Sequence, residues 1–163
     1  APEWSASDAV TVPVVQSIRK NHETAFSSSS GSLAVDDTIP QVSELVAVTG
    51  FTQAITPITG GNLIRVTFSA KVSGGAGAVK YLAIAKDSDV AVIAATAVDI
   101  RTNGAPVHVC FSAEVTAPDT TAITFKVYAG HNATTSVHVN ENAGAAYFGG
   151  VQGSQMIVEE ILV

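Results

Sequence analysis

Hydrophobic and polar residues alternate along most of this chain, and no stretch keeps a 3.6-residue apolar period over three turns. The alternating runs are rich in β-branched residues, and clusters of Gly, Ser, Asn, Asp and Pro separate them. Strands are therefore predicted at residues 12–18, 24–34, 44–55, 62–71, 78–86, 91–100, 106–115, 122–129, 134–140 and 155–162.

This succession of short strands predicts an all-β fold. About 8–10 antiparallel strands without intervening helices fit a two-sheet sandwich, and the jelly roll is the natural architecture for this number. A chain of 163 residues fits one such domain. Residues 1–11 lack periodicity, so we expect an extended N-terminal arm there and the jelly-roll domain over residues 12–163.

Two of the predicted strands are apolar on both faces, at residues 78–84 and 90–98. In a two-layer sandwich one face of each strand normally meets water, so such a strand needs a second cover. Small side chains fill many of these positions, and they would let another sheet approach closely. We predict that a neighbouring subunit supplies the cover, and the predicted interface residues are Tyr81, Ala83, Val92 and Ala94. The alternative is an internal loop that folds over the same strand.

Composition strengthens the expectation of an assembly. The chain is 47% hydrophobic and 13% charged, whereas a charged share of about 25% is typical. Such a chain exposes Ser, Thr, Asn and Gly in place of charged residues, or it hides surface against other subunits.

The charges that are present argue against two classes of partner. The net charge is −6, and the 8 Lys and Arg residues are too scattered to form a surface for nucleic acid. The longest strongly apolar stretch, residues 90–98, is much shorter than the ~20 residues that span a bilayer. We therefore expect neither a nucleic-acid partner nor a membrane partner. Because no basic-then-apolar N-terminus is present, we also expect no signal peptide.

Candidate catalytic and metal-binding groups are sparse. The histidines lack the close repeated spacing of a zinc site, and His131 and His138 are expected to be a solvated pair beside a hairpin. Cys110 is a lone cysteine in an alternating strand, where a packed, unreactive thiol is expected. Glu159 and Glu160 are strand neighbours, so they point to opposite faces and cannot form a catalytic pair with each other. Since nucleophile motifs are absent as well, the sequence predicts no catalytic, metal or cofactor residues and no enzyme activity.

Four phrases stand out in the chain, and the first is DDTIP, formed by Asp36, Asp37, Thr38, Ile39 and Pro40. Asp side chains typically bond turn amides and proline fixes a turn, so this phrase predicts a structural turn. The other three are ITP with a Gly-Gly turn and NLIRV (residues 55–66), ITFKVYAG (residues 123–130) and FGGVQGSQMIVEEI (residues 148–161).

In this order and spacing, the phrases resemble the jelly-roll domain of tailed-bacteriophage virion proteins, which occurs in capsid decorations, head fibres and tail-fibre tips. The resemblance covers residues 12–163. It departs after Pro40, where the family usually continues with Gln, a polar residue and a Glu-Gly pair; this chain keeps Gln41 and Glu44 without the glycine. The resemblance implies a homotrimer whose similar inner sheets face the threefold axis.

The resemblance does not give the position in the virion, which depends on how the domain is attached to the rest of the particle. A tail-fibre tip needs a long trunk, whereas the predicted arm is short. We therefore expect a non-enzymatic structural protein of the virion, a trimeric capsid decoration or cement protein on the capsid surface rather than the tail. Its expected partner is the major capsid protein or another virion protein, and the arm residues Trp4 and Val10 are the predicted capsid anchors. The alternative for Trp4 is a disordered chain end.

The alternative function is a tail-fibre or head-fibre tip domain that binds a host-surface receptor or glycan. The candidate contact loop for that function is residues 130–136. Sugar-binding faces usually stack an aromatic side chain against the ring. Only 6% of this chain is aromatic, so the sequence does not mark a glycan site.

Overall fold

The computed structural model describes residues 13–34, 36–133, 135–142, 145–147 and 153–163. The predicted anchors Trp4 and Val10 lie outside these described residues. The strands are β1 (Val14–His22), β2 (Phe26–Ser28), β3 (Val46–Ile55), β4 (Leu63–Gly74), β5 (Ala78–Lys86), β6 (Ala94–Ile100), β7 (Val107–Thr116), β8 (Ile123–His131), β9 (Val137–Val139), β10 (Glu141–Asn142), β11 (Ala145–Ala146) and β12 (Ser154–Ile161). A 3-10 turn at Val42–Glu44 stands before β3.

The strands form two antiparallel sheets that pack face to face. In the first sheet the order is β1-β12-β4-β7, and β9, which pairs with β2, continues beyond β12 along the same edge of β4. In the second sheet the order is β3-β8-β5-β6. A short hairpin pairs β10 with β11. The chain thus crosses repeatedly from one sheet to the other, and strands distant in sequence become neighbours in each sheet. This topology confirms the predicted all-β jelly-roll sandwich.

The core lies between the sheets and follows from the two-residue alternation of each strand. In β4, the inward-facing Ile64, Val66 and Phe68 are buried, while the residues between them are partly exposed. Phe68 meets Phe51 of the second sheet edge-on, with the ring centroids 4.9 Å apart. Because burying each large apolar side chain contributes about 1.5–3 kcal/mol, this row determines which face of β4 points inward.

β5 is buried on both faces, as its apolar sequence indicates. One face belongs to the main core, and Tyr81 and Ala83 face outward. The outward residues pack against Leu33 and Leu45, which belong to the chain's own segment between β2 and β3. This segment is the internal cover that the sequence left open as an alternative. A subunit interface that includes Tyr81 and Ala83 stays a prediction.

The strand predicted at residues 24–34 is wrong over most of its length, because β2 ends at Ser28. Ser28 Oγ accepts a hydrogen bond from the backbone N–H of Ser30 at 3.0 Å, which bends the chain. Gly31 then takes a φ of +87°, and a Cβ there would lie 3.0 Å from the carbonyl oxygen of Ala129. Serine side chains and this glycine thus turn the chain onto the end of β8.

Candidate functional site

The DDTIP turn follows this bend and lies at the protein surface. Asp36 Oδ1 accepts hydrogen bonds from the Thr38 hydroxyl at 2.6 Å and from the Thr38 backbone N–H at 2.9 Å. The hydroxyl bond and then the backbone bond lower the pKa of Asp36 below its ordinary value of 3.8. Asp37 and Ile39 are exposed, so the turn presents both a charge and an apolar side chain to the outside.

The residues after this turn continue the edge of the second sheet. Residues 40–42 pair with residues 90–92 through two backbone hydrogen bonds of 2.8 and 3.0 Å. Val90 is exposed and Val92 is half-buried. The pairing therefore brings apolar residues from two distant parts of the chain together at the surface.

A shallow hollow of about 200 Å³ opens between the DDTIP turn and the outer face of β5 and β6, and we call it the outer hollow. Its lining residues are Leu33, Ala34, Asp36, Thr38, Pro40, Tyr81, Ala95, Thr96 and Ala97. Ala95 and Ala97 are exposed, and they stand opposite Ala83 and Tyr81 in the pairing of β5 with β6. The floor of the outer hollow is therefore made of small apolar groups and one tyrosine.

Tyr81 places a polar atom without a partner in this hollow. Its side chain is 8% exposed, and its hydroxyl has no hydrogen-bond partner among the described residues. Burial raises the pKa of Tyr81 above its ordinary value of 10.0, so the hydroxyl keeps its proton at neutral pH and is able to donate. A buried hydroxyl without a partner costs about 1–3 kcal/mol, so an acceptor that gained access to it would stabilise the protein.

The four predicted interface residues do not all share this surface. Tyr81, Ala83 and Val92 belong to one outer cluster. Ala94 instead packs against the main core, because it stands opposite the inward-facing Ile84. Ala94 therefore does not share a face with the other three. The cause is the irregular chain before β6, which does not keep the alternation that the prediction assumed. A subunit interface that includes Ala94 stays a prediction.

The second and fourth phrases of the sequence meet at the buried carboxylate of Glu160. It accepts backbone hydrogen bonds from Ile58 at 2.8 Å and Thr59 at 3.1 Å, and side-chain bonds from Asn62 and Gln16 at 2.7 Å. Burial alone would raise the pKa of Glu160, but these hydrogen bonds outweigh it and lower the pKa below its ordinary value of 4.5. Glu160 therefore holds the turn between β3 and β4.

Ser136, His138 and Glu141 form a hydrogen-bonded chain. Ser136 Oγ lies 2.6 Å from His138 Nε2, and His138 Nδ1 lies 2.6 Å from Glu141 Oε1. The expected solvated pair of His131 and His138 is wrong, since His131 is buried and His138 is bonded through both ring nitrogens. The order of groups is that of a hydrolase triad. Here all three belong to β9 and its neighbourhood, where they brace the turn at Asn140, whose φ is +62°.

An open cleft of about 670 Å³ lies beside this hydrogen-bonded chain at one end of the sandwich, and we call it the end cleft. Its described lining residues are Ser29, Ser30, Gly31, Ser32, His131, Asn132, Ala133, Thr135 and Ser136. It thus includes most of the loop that the sequence marks as the candidate receptor contact. Lys80 is buried behind it, where the ammonium donates to Thr135 Oγ1 at 2.5 Å. Burial lowers the pKa of Lys80 below its ordinary value of 10.5.

Other candidate chemistry is weak in the part of the chain that the structure describes. Cys110 is exposed rather than packed, because its side of β7 faces away from the core while Val109 faces inward. No group of three His, Cys, Asp or Glu side chains in the described ranges is placed to hold a metal ion. Nor does any described helix have the length and apolar character needed to cross a membrane.

Comparison with known proteins finds structural neighbours but no sequence family. No protein-family model matches the chain, and no curated protein matches it. Among solved structures, the chain is similar to VP2 of infectious bursal disease virus in a subviral particle, with 14% identity and a TM-score of 0.43. That similarity covers 100% of this chain and 42% of the VP2 chain, so this chain spans less than half of VP2.

Two further neighbours are of other kinds. Eiger TNF from S. frugiperda is 5% identical with a TM-score of 0.37, and the similarity covers 71% of this chain and 88% of that one. A CBM4 structure is 14% identical with a TM-score of 0.34, and the similarity covers 71% of this chain and 69% of that one. At TM-scores this low, the neighbours carry no argument about function, which rests on the chain's own phrases and surfaces.

Proposed function

We propose that this protein is a non-enzymatic structural component of a virus particle, a homotrimer that decorates the capsid and stabilises it as a cement protein. The observation that carries the proposal is the outer hollow, where the DDTIP turn borders a face of small apolar residues. At this hollow, one phrase of the phage resemblance borders a surface of small apolar groups that another copy of the chain can approach closely.

Three features of the outer hollow support a subunit contact. Ala95 and Ala97 expose only methyl groups, which let another sheet approach closely. β6 ends its sheet, so its outer edge presents backbone groups with which another strand can pair. The buried hydroxyl of Tyr81 lacks a partner within the described chain, and a neighbouring subunit that opens the hollow to it would supply one.

Capsid binding is assigned to the arm in this proposal. Trp4 and Val10 are its large apolar residues, and burying each at a protein contact contributes about 1.5–3 kcal/mol. A trimer carries three arms, so simultaneous attachment raises the effective affinity without any further contact. The proposed partner is the major capsid protein or another virion protein.

A second candidate function is a fibre-tip domain that binds a host-surface receptor or glycan. One observation favours it: the end cleft opens at the loop of residues 130–136 and is rich in hydroxyl groups. A purely structural cement role leaves this cleft without an occupant.

Cryo-electron microscopy of the virus particle that carries this chain, with and without residues 1–10, tests the proposal. We expect trimers of the protein over the capsid surface, and loss of that density when residues 1–10 are deleted. The control is light scattering on the purified truncated protein, which should still be a trimer. Full decoration by the truncated protein would overturn the role of the arm. Density confined to fibre ends would overturn the cement role and favour the second candidate.

A further inference from the structure

The end of the sandwich holds more buried basic groups than the described residues neutralise. Lys80 is fully buried, yet among the described residues its ammonium has one hydrogen-bond partner, Thr135 Oγ1, and no ion pair. His131 stands opposite Lys80 in the pairing of β5 with β8, so both side chains share a face. His131 is 3% exposed, and neither ring nitrogen has a partner in the described chain. The buried carboxylate of Glu141 is already bonded to His138.

Two glycines make room for the Lys80 ammonium and its partner. A Cβ at Gly74 would lie 2.6 Å from Lys80 Cε and 3.3 Å from Nζ. A Cβ at Gly75 would lie 3.1 Å from the Thr135 side chain. The ammonium therefore occupies a space that a larger residue at position 74 would fill, and it is held firmly against Thr135.

The backbone of His131 is fixed, and hydroxyl groups line the rim of the end cleft. The His131 backbone N–H donates to Gly31 O and its carbonyl accepts from the Leu33 N–H, each at 2.9 Å, so the backbone that carries the ring is held in place. Because Thr135 Oγ1 accepts from Lys80, its own hydroxyl hydrogen remains for another acceptor. Further hydroxyls on the rim come from Ser29, Ser30 and Ser32, whereas the Ser136 hydroxyl is bonded to His138.

We propose that the end cleft binds the carboxylate of an acidic sugar. The carboxylate accepts hydrogen bonds from the Thr135 hydroxyl that Lys80 polarises and from the His131 ring, which turns one of its buried nitrogens toward the cleft. Its charge balances the buried ammonium. The serine hydroxyls and the Asn132 amide match the hydroxyl groups of a sugar ring. The described lining has no Trp, Tyr or Phe, so charge rather than ring stacking selects the ligand. This inference goes beyond the capsid role and is independent of whether the trimer sits on the head or on a fibre.

Titration of the full chain with glucuronate, followed by ¹H–¹⁵N NMR, tests the proposal. We expect saturable shifts at the amides of residues 29–32 and 131–133, and no shifts at the same concentration of glucose. Inorganic phosphate separates a bare oxyanion from a sugar acid, and it should bind more weakly because it leaves the hydroxyl rim unused. Equal shifts with glucose would overturn recognition of the charge. Binding of phosphate without glucuronate would overturn the sugar, and no shifts with any probe would overturn the site.

Two variants separate the proposed contacts from general effects on the fold. Lys80→Met and His131→Gln should each weaken glucuronate binding by about tenfold or more, the scale of one charge-assisted hydrogen bond. The matched control is His108→Gln, because His108 is an exposed histidine on β7. The glucuronate affinity of this variant should stay within about twofold of that of the native chain. The His131 ring has no described partner to lose, so His131→Gln decides the outcome if Lys80→Met does not fold. Unchanged affinity in folded His131→Gln would overturn the assignment.

Discussion

Single polar residues in this chain act mainly by bonding turn amides. Asp36 closes the DDTIP turn through Thr38, and Asp119 accepts from the Thr121 N–H at 2.6 Å, the main cause of the lowered pKa of Asp119. Glu160 does the same for a longer turn from inside the protein. Three of the four phrases behind the phage resemblance thus contribute to turns, through Asp36 and Glu160, and the remaining one forms β8. Turns and strands define a domain, which explains why the phrases indicate the domain more sharply than its role.

Glu160→Gln should destabilise the protein by about 2–3 kcal/mol, because glutamine turns an N–H group toward the donors that the carboxylate now accepts from. Urea unfolding at neutral pH measures this loss. The matched control is Glu159→Gln, the neighbouring carboxylate on the opposite face, which should change stability by less than about 0.5 kcal/mol. Similar losses in both variants would contradict the role assigned to Glu160.

The stability that the Glu160 carboxylate contributes should depend on pH, and the direction of the change follows from its pKa. The folded pKa of Glu160 is below its ordinary value of 4.5, so folding favours the ionised form. Its stabilisation is complete above pH 4.5 and is lost as the pH falls through the lower folded pKa. The stability difference between the native chain and Glu160→Gln should therefore shrink in acid. A difference that stays constant through the acid range would show that ionisation is not its source.

At the scale of elements, the alternation of the sequence predicts most strands, including β5 with its observed bounds. The errors arise where contacts distant in sequence decide. Serine hydrogen bonds and Gly31 end β2 early, and the pairing with residues 40–42 makes the chain before β6 irregular. Both effects depend on neighbours that a period-two pattern does not describe.

The end cleft was harder to predict than the strands. Lys80 and His131 are distant in sequence and meet only through the pairing of β5 with β8. A single Lys or His in a strand carries no signal of its own. The contact between Ser136 and His138 does have a sequence signal, because strand alternation places residues two apart on the same face. The turn that bears Glu141 lies within reach of this pair.

The segment between β2 and β3 should behave as a true cover of β5. Leu45 is 7% exposed, and a Cβ at Gly130 would lie 2.6 Å from its Cδ2, so the contact is tight. Leu45→Ala should therefore cost about 2–4 kcal/mol in chemical unfolding. Ile58→Ala is the control, because Ile58 is 62% exposed and its loss should cost less than about 0.5 kcal/mol. A Leu45→Ala cost as small as the control's would mean that the segment does not cover the strand.

At the scale of the whole molecule, the two candidate surfaces are separate. The outer hollow lies outside the second sheet, the end cleft lies at the end of the sandwich, and they share no lining residue. A subunit contact through the hollow therefore does not by itself occupy the cleft. The proposed subunit contact and the proposed ligand site therefore use different surfaces of one fold.

Ala97→Glu should convert the proposed trimer to monomers, because it places like charges at the proposed contact, which is made of small apolar groups. We expect association to weaken by about 100-fold or more, since like charges at an interface cost several kcal/mol. Multi-angle light scattering measures the mass, and thermal unfolding shows whether the variant chain still folds. The matched control is Ser112→Glu, at an exposed position of β7 in the other sheet, which should remain a trimer.

The possible outcomes of this experiment separate the two surfaces. A trimeric Ala97→Glu variant would exclude the outer hollow as the subunit contact, and a monomeric native protein would overturn the homotrimer itself. Neither result would remove the end cleft, because Lys80, His131 and Thr135 belong to one chain and meet within it. Glucuronate binding by a monomer would then show that ligand recognition belongs to the fold of the single chain and does not depend on assembly.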